Sequence, residues 1–234
     1  MSESNKPIII GCGGYARSGK DTFVKVAKKV LKDNGYTCVK LAFADSLKEE
    51  IDPFLREHYN ISAWTDDTED KNIIRPYLIA HGCGKRKISD GNYWIDQIDK
   101  AIETIHFTTD VIFISDCRFP NEVDWLHNKW GGWFVHIKRY SVKSGIQNDS
   151  FTGKEIGYRE WKQYDESPNE EEEINDPLCE EKSDYNLELE NVIEKTFRET
   201  GIKIKADSLV DNSYLLNEVT KCLSKHPSLT ILRP

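Results

Sequence analysis

The chain has no C-x-x-C pair. Its six cysteines, Cys12, Cys38, Cys83, Cys117, Cys179 and Cys222, are scattered along 234 residues, which suits reduced thiols and not a disulfide framework or a zinc site. No apolar run approaches membrane-spanning length. The polar N-terminus passes straight into a strand-like run, so no targeting segment is read, and there is no internal repeat. Excess positive charge is missing too. A net charge of −8 argues against general nucleic-acid or anionic-membrane binding as the main task. A cytoplasmic chain is expected, in a host cytoplasm if its source is a virus, long enough for one large α/β domain.

What is present begins at Ile8. Ile8, Ile9 and Ile10 read as a short buried strand, and Phe23, Val26, Ala27 and Val30 share one face of a helix that follows. Between them lies Gly14-Tyr15-Ala16-Arg17-Ser18-Gly19-Lys20, the G-x-x-x-x-G-K spacing of a phosphate-binding loop. A polyphosphate needs several backbone N–H groups pointing inward, and a glycine-rich turn lets the main chain approach that closely. The helix start adds unpaired donors and the positive end of its dipole, and Lys20 reaches the β- and γ-phosphates. Where such loops carry Ser or Thr after the lysine, this one has Asp21, with Thr22 next. Mg²⁺ therefore falls to Thr22 or to Asp21, directly or through water; an aspartate there is also a good first-turn residue.

Downstream, the first helix should stop at Asn34-Gly35. A second strand spans Thr37 to Ala42, and Asp45 or Ser46 caps a second helix that runs to about His58. Thr65 to Lys71 reads as an acidic surface loop. Ile73 to His81 reads as a short helix opened or interrupted by Pro76 and ended by Gly82, with Gly84 to Lys87 as a basic turn. A further helix covers Asn92 to Thr104. Val111 to Ser115 is a continuous apolar run of parallel-sheet type. Helical pattern returns from Asn121 to Trp130, Trp133 to Ile137 is another strand, and residues 144–183 form a polar, acidic insertion or lid. A strand at Tyr185 to Leu189 and helices near Ile193 to Thr200 and Tyr214 to Ser224 close the chain. Strands alternating with helices predict an α/β fold, a parallel sheet covered on both faces, with ligands at the carboxyl ends of the strands. The whole of 1–234 reads as a single domain of this kind.

Three strand ends then bring polar groups to one crevice: the loop, Asp45 with Lys48, and Asp116 with Arg118. Asp116 follows its apolar strand in the manner of a Walker B carboxylate, or else caps a helix. Arg118 supplies the guanidinium that phosphoryl transfer requires, and Arg139 ends another strand. Arg75 and Trp94 fall where a second substrate would dock, Trp94 as a base-stacking surface or as core. Cys117 reads as a buried thiol, with no histidine near it in sequence.

Together, G-Y-A-R-S-G-K-D-T, A-F-A-D-S-L-K, R-P-Y-L-I-A-H-G, N-Y-W-I-D and I-S-D-C-R-F-P-N-E resemble the deoxynucleoside monophosphate kinases of bacteriophages and related bacterial and large-virus proteins. The likeness covers roughly Pro7 to Arg139 and weakens after Tyr140. It implies a nucleoside-monophosphate-kinase-like fold, ATP with Mg²⁺ as donor and a deoxynucleoside monophosphate as acceptor. No nucleic acid or membrane partner is implied, and a homodimer stays open. On this sequence, Gly14, Ala16, Arg17, Ser18, Gly19, Lys20, Asp21 and Thr22 would hold ATP, and Asp21, Thr22 and Asp116 the metal. Asp45, Lys48, Arg75, Trp94, Arg118, Phe119 and Glu122 would line the acceptor side. Lys20, Asp116, Arg118 and Arg139 would serve the transfer itself. Animal phosphomevalonate kinases also carry a S-G-K-D loop and a strand ending in D-x-R; the F-P-N-E continuation favours the nucleotide. An NTP-binding switch that transfers no phosphoryl group is the reading from a different class.

Overall fold

Five parallel strands form the sheet on which the candidate site rests. The computed structural model describes residues 6–16, 18–140, 146–148, 155–157, 170–190 and 206–231. Strands β1 (Ile8–Gly13), β2 (Cys38–Leu41), β3 (Val111–Ile114), β4 (Trp133–Tyr140) and β7 (Tyr185–Glu190) lie in the order β2-β3-β1-β4-β7. A separate antiparallel hairpin pairs β5 (Ile146–Asn148) with β6 (Glu155–Gly157). β1 is central, with Ile9 opposite Ile112 of β3 and Gly13 opposite His136 of β4. The ends of β1, β3 and β4 therefore meet, as the α/β pattern predicts.

Alternation along the strands sends side chains to two cores. Ile10, Cys12, Phe113, Val135 and Ile137 face helices α1 (Lys20–Asp33) and, near the C-terminus, α7 (Ser213–Leu223). Ile9, Ile112, Ile114 and Phe134 face the other way, toward α4 (Tyr93–Ile105) and α5 (Pro120–Trp125). Helix α1 buries Phe23, Val24, Val26, Ala27, Val30 and Leu31 and ends at Asn34, followed by left-handed Gly35, as its sequence foretells. Among the described residues no helix is long and apolar enough to cross a membrane.

Helix α2 (Phe43–Tyr59) starts two residues before the predicted cap. Neither Asp45 nor Ser46 caps it. Asp116, 73 residues away at the end of β3, accepts from the backbone N–H of Phe43 at 2.7 Å and of Ala44 at 2.9 Å. Helix α3 (Thr68–Ile88) is the larger surprise, because it runs straight through Pro76, Gly82 and Gly84. Asp67 caps its start by accepting from Glu69 N and Asp70 N, which turns half of the expected acidic loop into a first helical turn. Across the weak residues, tertiary contacts hold it. Ile74 is buried against Leu55 and Ile61, and the Trp94 indole donates to the Gly82 carbonyl at 3.1 Å.

After α5 the helix widens into a π turn, Leu126–Trp130. Trp125 and Trp130 are five residues apart, a spacing that a π turn brings to one side. Both indoles donate to the buried Asp99 Oδ1 of α4, at 3.0 and 2.9 Å, while Lys129 donates to its Oδ2 at 2.6 Å. One carboxylate thus clamps α4 to the chain that leaves β3. Within the predicted insertion, residues 170–181 form a helix, α6 (Glu170–Glu181), that docks on the sheet through the buried Cys179. Lys138 pairs with Glu180, and His136 meets Asp176 at 3.1 Å. Most of the remaining insertion and the expected helix at 193–200 lie outside the described residues.

Candidate active site

The loop after β1 is shaped by glycines in backbone conformations that other residues rarely adopt. Gly14 has φ +125°, and a Cβ there would meet the Ile137 carbonyl at 2.2 Å; Gly19, with φ +100°, opens α1. Lys20 Nζ donates to the carbonyls of Gly14 at 2.6 Å and Tyr15 at 2.7 Å, folding back over its own loop. Ser18 Oγ is buried and has no hydrogen-bond partner. A glycine cradle, an unmet hydroxyl and a helix N-terminus fit an anion. Ala16 is exposed at the loop's rim, and Arg17 lies outside the described residues.

Around this loop the expected charges gather. Cys12, buried beneath it, has its thiol pushed far up by burial, and the charges that reach it belong to Lys20, Asp21, Lys40 and Asp116. Asp21 pairs with Lys40 of β2 at 2.6 Å, both partly exposed. Lys40 was not anticipated; its only signal was a lysine in an otherwise apolar strand. Asp45 sits in the first turn of α2. Withdrawal from water raises its pKa, Lys48 and Lys40 oppose that rise, and Glu49 and Asp21 add to it. Burial likewise raises Asp116, against the amides of Ala44 and Phe43 and the charge of Arg118.

Lys20 follows β1, and Asp116 with the exposed Arg118 follows β3, so all three come from the carboxyl ends of neighbouring parallel strands. Among the described residues no cluster of three or more metal-binding side chains is preassembled. Mg²⁺ in phosphate sites needs only one or two carboxylates beside the substrate's phosphates, and Asp21, Thr22 and Asp116 are the residues that would have to provide them. Each oxygen of Asp116 already accepts one amide, which leaves further lone pairs on both.

Three expected acceptor contacts are placed differently. Trp94 is 4% exposed and packs among α3 and α4, so it is core, not a platform. Glu122 is 1% exposed. Its Oε2 accepts from the amides of Arg118 at 2.8 Å and Phe119 at 3.2 Å, and its Oε1 pairs with Arg86 of α3. Burial pushes its carboxyl up, while Arg86 and the Arg118 amide pull it down. Glu122 thus sets the D-x-R-F-P-N-E turn from below and presents nothing to a ligand directly. Phe119 is half-buried under the Arg86 guanidinium, 3.4 Å from its ring centroid. Arg75 is exposed on α3 and Lys48 half-buried on α2.

Arg139 goes to the opposite flank. With Thr22, Leu189, Glu190, Leu209 and Leu215 it lines a small, shallow recess beside Gly19. Leu209 lies in a 3₁₀ helix, Ala206–Asp211, that packs on α1. The recess is mostly apolar and borders the loop at Gly19 and Thr22. Its residues come from separate strands and helices, and no local motif announced them.

Residues 12–132, a little over half of the chain, match the family model of phosphomevalonate kinase. The chain belongs to that family. A search of curated proteins finds no match. Among solved structures, shikimate kinase from Bacteroides thetaiotaomicron aligns with 12% identity over 93% of this chain and 97% of its own, TM-score 0.37. A putative kinase from Chloroflexus aurantiacus aligns with 14% identity over 88% and 93%, TM-score 0.36. APE1195 aligns with 14% identity, TM-score 0.31, over 57% of this chain and 62% of its own. The phosphomevalonate kinase family match and the parallel sheet bearing its phosphate loop support a P-loop kinase-like protein. The resemblance to phage deoxynucleotide kinases holds at that coarser level, and the acceptor is a separate question.

Proposed function

We propose that the protein transfers the γ-phosphoryl group of ATP to the phosphate of a deoxynucleoside monophosphate. The observation that carries this reading is the shared end of β1 and β3. There Lys20 follows β1, and Asp116 and the exposed Arg118 follow the adjacent β3 and form one wall with the helix that Asp116 caps, which carries Asp45 and Lys48.

A phosphate monoester, with its second pKa near ~6, is largely dianionic at neutral pH. The nucleophile is thus an existing oxyanion, and no general base has to be found. The chain's residues instead align two highly negative groups and offset their charge. Lys20 leaves the Gly14 and Tyr15 carbonyls for the donor phosphates, and Arg118 meets the transferring group from the other side. Asp21 or Thr22 with Asp116 would hold Mg²⁺, which would supply charge neutralisation to the donor phosphates. Thr22 and Arg139 border the shallow recess beside the loop.

A second reading takes phosphomevalonate as the acceptor and is favoured by the family match over 12–132. It uses the same donor site and the same oxyanion chemistry. Screening the four deoxynucleoside monophosphates and phosphomevalonate with Mg-ATP, following ADP release and the phosphorylated product, separates the two. Turnover of at least one nucleotide is expected. Turnover of phosphomevalonate alone would transfer the assignment to the second reading, and slow hydrolysis with no phosphorylated acceptor would remove both. With the preferred acceptor, Arg118→Ala should lower turnover about 10²-fold, the scale of losing one charge-stabilising donor. KM for ATP should stay near the unmodified value, and an Arg118→Ala enzyme of normal turnover would remove Arg118 from the transfer centre.

A further inference from the structure

Trp94 lies in the core, so the acceptor side needs another surface if it is to grip a planar base. Trp64, in the loop between α2 and α3, has the properties required. It is 46% exposed, although Ile61 at 9% and Ala63 at 4% anchor the same loop in the small core under α2 and α3. Asp52 of α2 grips that loop, accepting from the Ser62 hydroxyl at 2.9 Å and the Ala63 amide at 2.7 Å, and Arg56 braces the same carboxylate. A large apolar ring is thus held out toward solvent by a rigid support, an arrangement with an entropic advantage for binding.

Its position is as telling as its exposure. Lys48 Nζ lies 4.7 Å from the centroid of the Trp64 ring, a cation–π contact. Lys48 is three residues beyond Asp45 and acts on its charge. It lies five residues into α2 from Phe43, whose amide Asp116 caps, about 7 Å of helical rise. From Asp116 and Arg118 to Trp64 the wall therefore runs carboxylate, ammonium, indole. That order matches a nucleotide, whose sugar separates a 5′-phosphate from its base. Other exposed apolar side chains, such as Ile73, Ile88 and Phe107, take no part in the cation–π contacts found among the described residues.

Resting on the nucleotide reading above, we infer that Trp64, with Lys48 over one face of its ring, is the platform on whose other face the acceptor's base stacks. Base–aromatic stacking is sequence-tolerant, because every base presents a π face. The platform therefore favours acceptors that carry a ring over aliphatic ones and discriminates weakly among bases.

The test uses the full chain, the four deoxynucleoside monophosphates, and the variants Trp64→Phe and Trp64→Ala, with thermal unfolding to confirm that both fold. Without ATP, a nucleotide should quench the tryptophan fluorescence of the unmodified protein saturably, and Trp64→Phe should abolish most of that quenching while still binding in a competition assay. In turnover, Trp64→Ala should raise acceptor KM about 10-fold or more, leave KM for ATP unchanged, and be partly rescued by Trp64→Phe. Equal acceptor KM in the unmodified protein and Trp64→Ala overturns this inference while the nucleotide reading stands. An unmodified protein that neither binds nor phosphorylates any of the four nucleotides overturns both.

Discussion

Lys20→Ala is expected to lower turnover by about 10²- to 10³-fold, the scale of removing one preorganised donor from a transition state, while the fold survives. The lysine is half-buried, and it donates to carbonyls of its own loop, those of the half-buried Gly14 and Tyr15. The loop's shape comes from Gly14 and Gly19 and from the strand and helix that flank it, none of which the substitution touches. The chemical loss is larger. Both phosphates that meet in the crevice are highly charged, and the flanking aspartates Asp21, Asp45 and Asp116 add more negative charge. Without the ammonium, the donor's γ-phosphoryl group loses its nearest mobile cation as charge redistributes. Lys20→Arg is expected to recover little, since a rigid planar fork cannot take the place of a compact point charge inside a tight cradle. Steady-state turnover at saturating ATP and acceptor, set beside a thermal unfolding curve, checks both halves. Normal turnover in Lys20→Ala would mean that the loop does not bind the donor in the way proposed.

The largest effect on stability is expected at Glu122. Replacing it with alanine removes the acceptor for two amides, those of Arg118 and Phe119, and strands Arg86, whose side chain is only 17% exposed, without its partner. Breaking a buried pair by deleting one member typically costs about 3–5 kcal/mol. For a chain of this size that is on the order of 10 °C in the unfolding midpoint. Glu122→Gln keeps the shape and one amide acceptor and should cost less than half as much. Because the same carboxylate sets the turn carrying Arg118, acceptor KM in Glu122→Gln should rise while KM for ATP holds. Urea unfolding of the two variants measures the first claim. A loss under about 1 kcal/mol for the alanine variant, the level of an exposed pair, would show that the Arg86–Glu122 contact is not the buried clamp described.

Much of this arrangement can be read directly from the chain, and the divide between what can and cannot is physical. The β1–loop–α1 unit and the apolar run of β3 declare themselves because their signals are local: a glycine spacing, a 3.6-residue apolar stripe, five buried residues in a row. Helix α3 does not, since Pro76 and Gly82 look like breaks until Trp94 and Ile74 hold the helix across them. Likewise, Asp45 and Ser46 look like the cap of α2 only while Asp116 is out of sight. At the candidate site, Lys20, Asp116 and Arg118 come from strand ends, where topology makes sequence position a good guide. Trp94 and Glu122 are misjudged because residue type and neighbourhood reveal nothing of burial. Lys40 and Trp64 go unnoticed for the opposite reason: each matters through a partner, Asp21 or Lys48, that is distant in sequence.

The cap on α2 has one more implication. A carboxylate that faces the donor loop also holds the first turn of the helix bearing Asp45 and Lys48. Whatever draws charge out of that group when the donor arrives loosens its hold on two amides at the mouth of the opposite wall. On the proposed reading, the two halves of the crevice would then be linked through this one side chain.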